Sequence, residues 1–144
     1  MKTLKLSFLL IAVMLTVSTS FASKPDNKKS TKTLAFSIDS YIQTLKAGHC
    51  ENFAEILSDN VKFHINRNGK ILTYGKAEAI KHNAKANTNV IQDCEISHNI
   101  ITGSDTYALV NVSMKYPDFT RENIVSLSKI NGIWKITEVN SVFK

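Results

Sequence analysis

Residues 106–143 read TYALVNVSMKYPDFTRENIVSLSKINGIWKITEVNSVF, and the fold class follows from them. Three extended runs, Thr106 to Tyr116, Arg121 to Ile130 and Ile133 to Phe143, are parted by Pro117-Asp118 and Asn131-Gly132. Proline presets its own φ, and Asn-Gly accepts the positive φ that a two-residue hairpin turn demands. A fourth run, Val90 to Ile101, precedes them across Gly103-Ser104-Asp105. Long strands joined by short turns make an antiparallel meander.

Upstream the periodicity is helical. Leu34, Ile38, Tyr41, Ile42 and Leu45 form one stripe, and Gly48 stands where a left-handed C-cap belongs. A short second helix with Cys50, Phe53, Ala54 and Leu57 on one face is expected to end at Ser58-Asp59-Asn60. Val61, Phe63 and Ile65 then alternate with polar residues, and Asn68-Gly69 before Ile71 and Leu72 signals a hairpin. Gly75 to Ala86 reads as a third helix with Ala77, Ile80 and Ala84 inward. Helices first and strands later predict an α+β domain, a curved antiparallel sheet with three N-terminal helices on one face.

Lys2 and Lys5, the apolar run Leu6 to Val17, and small residues at Ser20 and Ala22 read as a secretory signal peptide over residues 1–22. The competing reading, a membrane anchor, needs ~20 apolar residues and the run is shorter. Residues 23–32 hold four lysines and no large apolar side chain, a flexible basic tail. The domain is expected to span 33–144 and the protein to be secreted or periplasmic, with no membrane contact once the signal is removed. The formal charge of +6 invites a nucleic-acid partner, but from Thr33 onward there are 12 basic against 11 acidic residues. The excess belongs to leader and tail, so nucleic acid is dropped as a partner.

The order helix, helix, hairpin, helix, four strands resembles the nuclear transport factor 2-like superfamily, whose fold is also called cystatin-like. The resemblance is closer to its secreted bacterial branch labelled "putative lumazine-binding". The phrases INRNGKILTY (65–74), YALVNVSMKYP (107–117), NGIWKI (131–136) and WKIT (134–137) carry it. It implies a cone whose concave sheet and helices enclose an apolar pocket. Across the superfamily that pocket serves isomerases, dehydratases and hydrolases as well as noncatalytic binding and dimerising proteins, so the likeness does not choose a function.

His98 shares a strand phase with Cys94, Ile96 and Ile100, which makes it the first candidate for a pocket acid, base or ligand contact; a histidine satisfied by backbone is the alternative. Glu138 shares phase with Trp134 and Ile136 and points inward if the last strand is regular, but Val139 and Phe143 fit the opposite phase, and a bulge would leave it outside. Tyr41 lies on the buried helical stripe. Met114 and Trp134 suit either a ligand's wall or plain core. No Gly-x-Ser-x-Gly, dinucleotide or phosphate-loop motif occurs, and His49, His64, His82 and His98 show no metal-ligand spacing, so neither metal nor cofactor is expected. Cys50 and Cys94 are either bridged, closing a loop of about 45 residues for roughly 4 kcal/mol, or two buried thiols.

The resulting expectation is a noncatalytic binder of a small apolar or aromatic molecule. Its walls would come from Tyr41, Phe53, Phe63, Ile96, Val112, Met114 and Trp134, with His98 as the polar contact. The alternatives are a lyase or isomerase with His98 as general base, and a structural protein forming a homodimer through the open face of its sheet.

Overall fold

A computed structural model describes residues 33–85 and 91–144; the segments read as signal peptide and basic tail fall outside these residues. The chain forms α1 (Leu34–Ala47), α2 (Phe53–Ile56), β1 (Leu57–Arg67), β2 (Lys70–Gly75) and α3 (Lys76–Lys85). β3 (Glu95–Gly103), β4 (Tyr107–Lys115), β5 (Thr120–Ile130) and β6 (Ile133–Phe143) follow. Local chemistry sets the boundaries. The Thr33 hydroxyl accepts the Phe36 N–H at 3.1 Å to open α1, and Gly48 at φ 70° closes it. Asn68-Gly69 and Asn131-Gly132 each have two consecutive positive φ values, the type I′ geometry read from their sequence.

Three expectations are corrected. The second helix is a single turn, because Leu57 already pairs with Ile136 of β6 and Ser58-Asp59-Asn60 forms an irregularity inside β1 rather than a helix end. The run read from Val90 forms strand only from Glu95; residues 86–90 lie outside the described part of the chain. The sheet, ordered β2-β1-β6-β5-β4-β3, is not wholly antiparallel, since β1 and β6 run parallel. The chain's last strand closes the meander by lying beside the first hairpin, a pairing no local turn encodes.

The inner face of the sheet carries Ala108, Val110, Val112 and Met114 of β4, Val125 and Leu127 of β5, and Trp134, Ile136 and Val139 of β6. Val61 and Phe63 extend it onto β1. α1 packs on β6, α2 on β1 and β6, and α3 on β1 and β2. The Ser37 hydroxyl, fully buried, donates to the Trp134 carbonyl at 2.8 Å and pins α1 to the sheet.

β6 does not keep one phase. Leu127 faces Ile136 while Ser126 faces Glu138, so Thr137 is an extra residue, and its hydroxyl donates to the Ser126 carbonyl at 3.2 Å. Trp134 and Ile136 point inward before the bulge, Val139 and Ser141 after it, and Glu138 is left outside beside His64. Deleting Thr137 removes the extra residue: in the regular strand that results, Ile136, Val139 and Ser141 still alternate inward and Glu138 stays outside, so the cooperative thermal transition seen by circular dichroism should survive. Thr137→Val keeps the extra residue without its hydroxyl bond and should cost about 1 kcal/mol in urea unfolding; loss of the cooperative transition in the deletion variant would show that Thr137 is not the residue outside the alternation.

Candidate functional site

A cavity of about 280 Å³ opens between α1, α3 and the inner face of the sheet. One side is apolar, made by Leu45, Phe53, Phe63, Ala79 and Met114. Phe63 and Tyr74 are direct cross-strand partners, and their rings stack at 5.0 Å with 3° between planes. The His82 and Tyr74 rings meet in a T-shaped pair, their centres 5.9 Å apart. Pairing in the hairpin thus fixes the aromatic wall.

The rim is tied together by backbone-directed bonds. Asn83 of α3 accepts the Cys50 N–H at 2.9 Å and donates to the Cys50 carbonyl at 3.2 Å, which anchors the loop after α1. Gln92 donates its backbone N–H to the Lys46 carbonyl and accepts the Tyr116 hydroxyl at 2.9 Å. The two cysteines are not bridged. Cys50 is a buried thiol 3.5 Å from Gln43 Oε1, and Cys94 lies against the Tyr116 hydroxyl, so each has its own local partner.

The polar end is built on β5 and β6. Arg121 Nη2 donates to Ser141 Oγ at 3.1 Å; that hydroxyl donates to Asn123 Oδ1 at 2.7 Å; and Asn123 Nδ2 donates to the Val112 carbonyl at 3.1 Å. Asn123 and Ser141 are buried and directly opposite each other in the ladder. The Arg121 guanidinium lies 5.6 Å from the centre of the Phe143 ring, which also receives Arg67 at 5.4 Å.

Three tyrosines share this end. Burial pushes the Tyr41 phenol well above its ordinary range, against the pull of the Arg121 charge. Burial also raises Tyr74 and Tyr116, and Arg121 opposes the shift in both. All three are therefore neutral hydrogen-bond donors at physiological pH and unsuited to act as bases.

Of the residues singled out by sequence, Tyr41, Phe53, Phe63 and Met114 line the cavity. Val112 and Trp134 are buried in the core, and Ile96 is half-buried against it. His98 is a correction. It faces Val112 across the ladder, on the expected side of the sheet, but β3 is an edge strand and His98 is exposed there, outside the cavity lining. Tyr74, His82, Gln92, Tyr116 and Arg121 were missed. Arg121 had a signal: it alternates with Asn123, Val125 and Leu127, a cation on the inward phase of a strand.

The family described as "Putative lumazine-binding" matches residues 29–144, and the chain belongs to that family. A nuclear transport factor 2-like protein of unknown function from Silicibacter pomeroyi is similar in structure, with TM-score 0.59 and 12% identity over 77% of this chain and 92% of that one. One from Methylobacillus flagellatus, also of unknown function, gives TM-score 0.55 and 16% identity over 85% and 96%. A protein with a cystatin-like fold from Caulobacter vibrioides gives 0.53 and 19% over 74% and 84%. These likenesses bear on the fold alone. No curated protein matches the sequence.

The tyrosine shifts predict alkaline behaviour. An unfolded tyrosine ionises near about pH 10, whereas Tyr41 in the folded chain stays protonated to higher pH. Its contribution is therefore complete below the unfolded value and is lost as pH rises past it. Urea midpoints of wild type should fall between about pH 9 and pH 11 more steeply than those of Tyr41→Phe. Equal slopes would show that Tyr41 ionises freely in the fold.

Proposed function

We propose that the domain binds a small molecule in this cavity without transforming it, and that the leader over residues 1–22 exports the protein to the periplasm or beyond. The observation that carries the reading is the cavity itself. It is walled by Phe53, Phe63 and Tyr74 and ringed by a few fixed polar groups, the composition of a ligand site. Its volume of about 280 Å³ lies just below the roughly 300–1,000 Å³ common for such sites, which suits a compact ligand. The family's description names lumazine, a flat heteroaromatic bicycle, and aromatic walls favour that shape.

Catalysis has less support. Acid–base chemistry calls for a group poised near neutral pH with a convergent partner. The described lining contains no carboxylate, its tyrosines are held protonated, and His82 packs T-shaped against Tyr74. The lyase or isomerase reading rested on His98, which stands outside the cavity.

A homodimer through the outer sheet face is compatible with binding and has an observation of its own. Ile71 of β2 and Val142 of β6 stand exposed on that face, on either side of Asn66. A partner copy laid on the face would cover both.

Native mass spectrometry of protein taken from its own compartment should show a retained small molecule. Thr44→Phe, at a half-buried position in the lining, should displace it with little change in melting temperature. Retention undiminished in that variant would place the ligand elsewhere. Light scattering on the same preparation reads the dimer directly.

A further inference from the structure

Arg121 carries a charge that the described protein does not balance. A guanidinium has five N–H donors. One, on Nη2, reaches Ser141, and Nε is buried with no partner. Among the described residues no carboxylate lies within 4.0 Å of it. Residues 86–90 contain no acid, and residues 1–32 contain only Asp26. The Phe143 ring is a poor substitute for a counter-ion because it already receives Arg67. A cation placed against apolar walls without an anion is costly, and the cost falls when an anion fills the space.

The guanidinium is also held in place. The chain from Arg121 through Ser141 and Asn123 to the Val112 carbonyl uses two buried polar side chains at positions where the neighbouring strand residues are apolar. Its last links leave no obvious vacancy, since Asn123 and Ser141 satisfy each other. Their effect is to orient Arg121 toward the cavity. The Tyr41 and Tyr74 hydroxyls line the same space and donate no hydrogen bond to any described residue.

Resting on the small-molecule reading above, we propose that the ligand is a small organic acid bound as its anion. The carboxylate is held by Arg121 with the Tyr41 and Tyr74 hydroxyls as further donors, and the apolar body lies against Phe53, Phe63 and Met114. Arg121 is the specificity-determining residue. A planar carboxylate matches the guanidinium fork in a way that a neutral amide does not.

The test compares benzoate with benzamide, which share size and shape and differ in charge. Each is titrated into the ¹⁵N-labelled mature chain while amide shifts of the cavity residues are followed. Benzoate should bind roughly ten- to a hundredfold more tightly, the span expected of a hydrogen bond to a charged group. Arg121→Gln should bring benzoate down to the level of benzamide, Arg121→Lys should keep part of the preference, and Tyr41→Phe should weaken benzoate alone. Equal binding of the two probes to wild type would overturn the inference while leaving the pocket reading intact, and that comparison decides even if Arg121→Gln fails to fold. A preference for benzoate that survives in Arg121→Gln would overturn it as well. If neither probe moves a cavity amide, the cavity is no binding site and both readings fall.

Discussion

The bulge at Thr137 is the constraint on which the rest of the inner face depends. β6 is paired on both sides, with β5 and with β1, so its phase is imposed on two neighbours at once. Before the bulge its inward side chains, Trp134 and Ile136, meet the helices and make ordinary core. After it they are Val139 and Ser141, and these meet Phe63 on one side and Asn123 on the other. A regular strand would have offered Glu138 and Asn140 to the same neighbours, burying a carboxylate against Phe63. One extra residue therefore keeps Val139 in the core and brings Ser141 inward, where it holds Arg121.

That division explains why the polar end of the cavity can exist at all. Buried Asn and Ser are tolerated only where their donors and acceptors are met. Asn123 and Ser141 are directly opposite in the antiparallel ladder, close enough to satisfy each other, and Asn123 reaches on to a backbone carbonyl of β4. The apolar end is organised by a different pair, Phe63 with Tyr74, fixed by the register of the first hairpin. Two cross-strand pairs, each a local consequence of register, thus shape the cavity: Phe63 with Tyr74 gives it an apolar wall, and Asn123 with Ser141, behind the lining, holds Arg121 at its polar end.

Much of this was legible in the sequence, and the boundary has physical causes. Asn68-Gly69 and Asn131-Gly132 announced their turns because few dipeptides accept two positive φ values, and the stripe from Leu34 to Leu45 announced α1 because its period is local. The parallel pairing of β1 with β6 was not legible, since it joins segments nearly eighty positions apart that share no turn. For His98 the alternation correctly gave the side of the sheet. It could not give burial, because an inward-phase residue on an edge strand is covered only if a helix reaches that far. Glu138 was readable in outline: the clash between Trp134-Ile136 and Val139-Phe143 required a bulge or two buried faces, and the bulge is what formed. Arg121 was visible by the same alternation, as a cation in phase with Asn123, Val125 and Leu127.

The last point bears on how a fold of this kind acquires a ligand. The sheet, helices and turns specify the cone whatever fills it, and an apolar residue at 121 would extend the row of Val125 and Leu127 and complete the core. A buried ion pair is seldom more stable than such packing, and an unpaired cation is less stable still. Arginine at this position thus trades stability in the empty domain for interaction energy released only when an anion enters. The relay through Ser141 and Asn123 sharpens the exchange by fixing the guanidinium beforehand, so that little side-chain entropy is left to lose on binding.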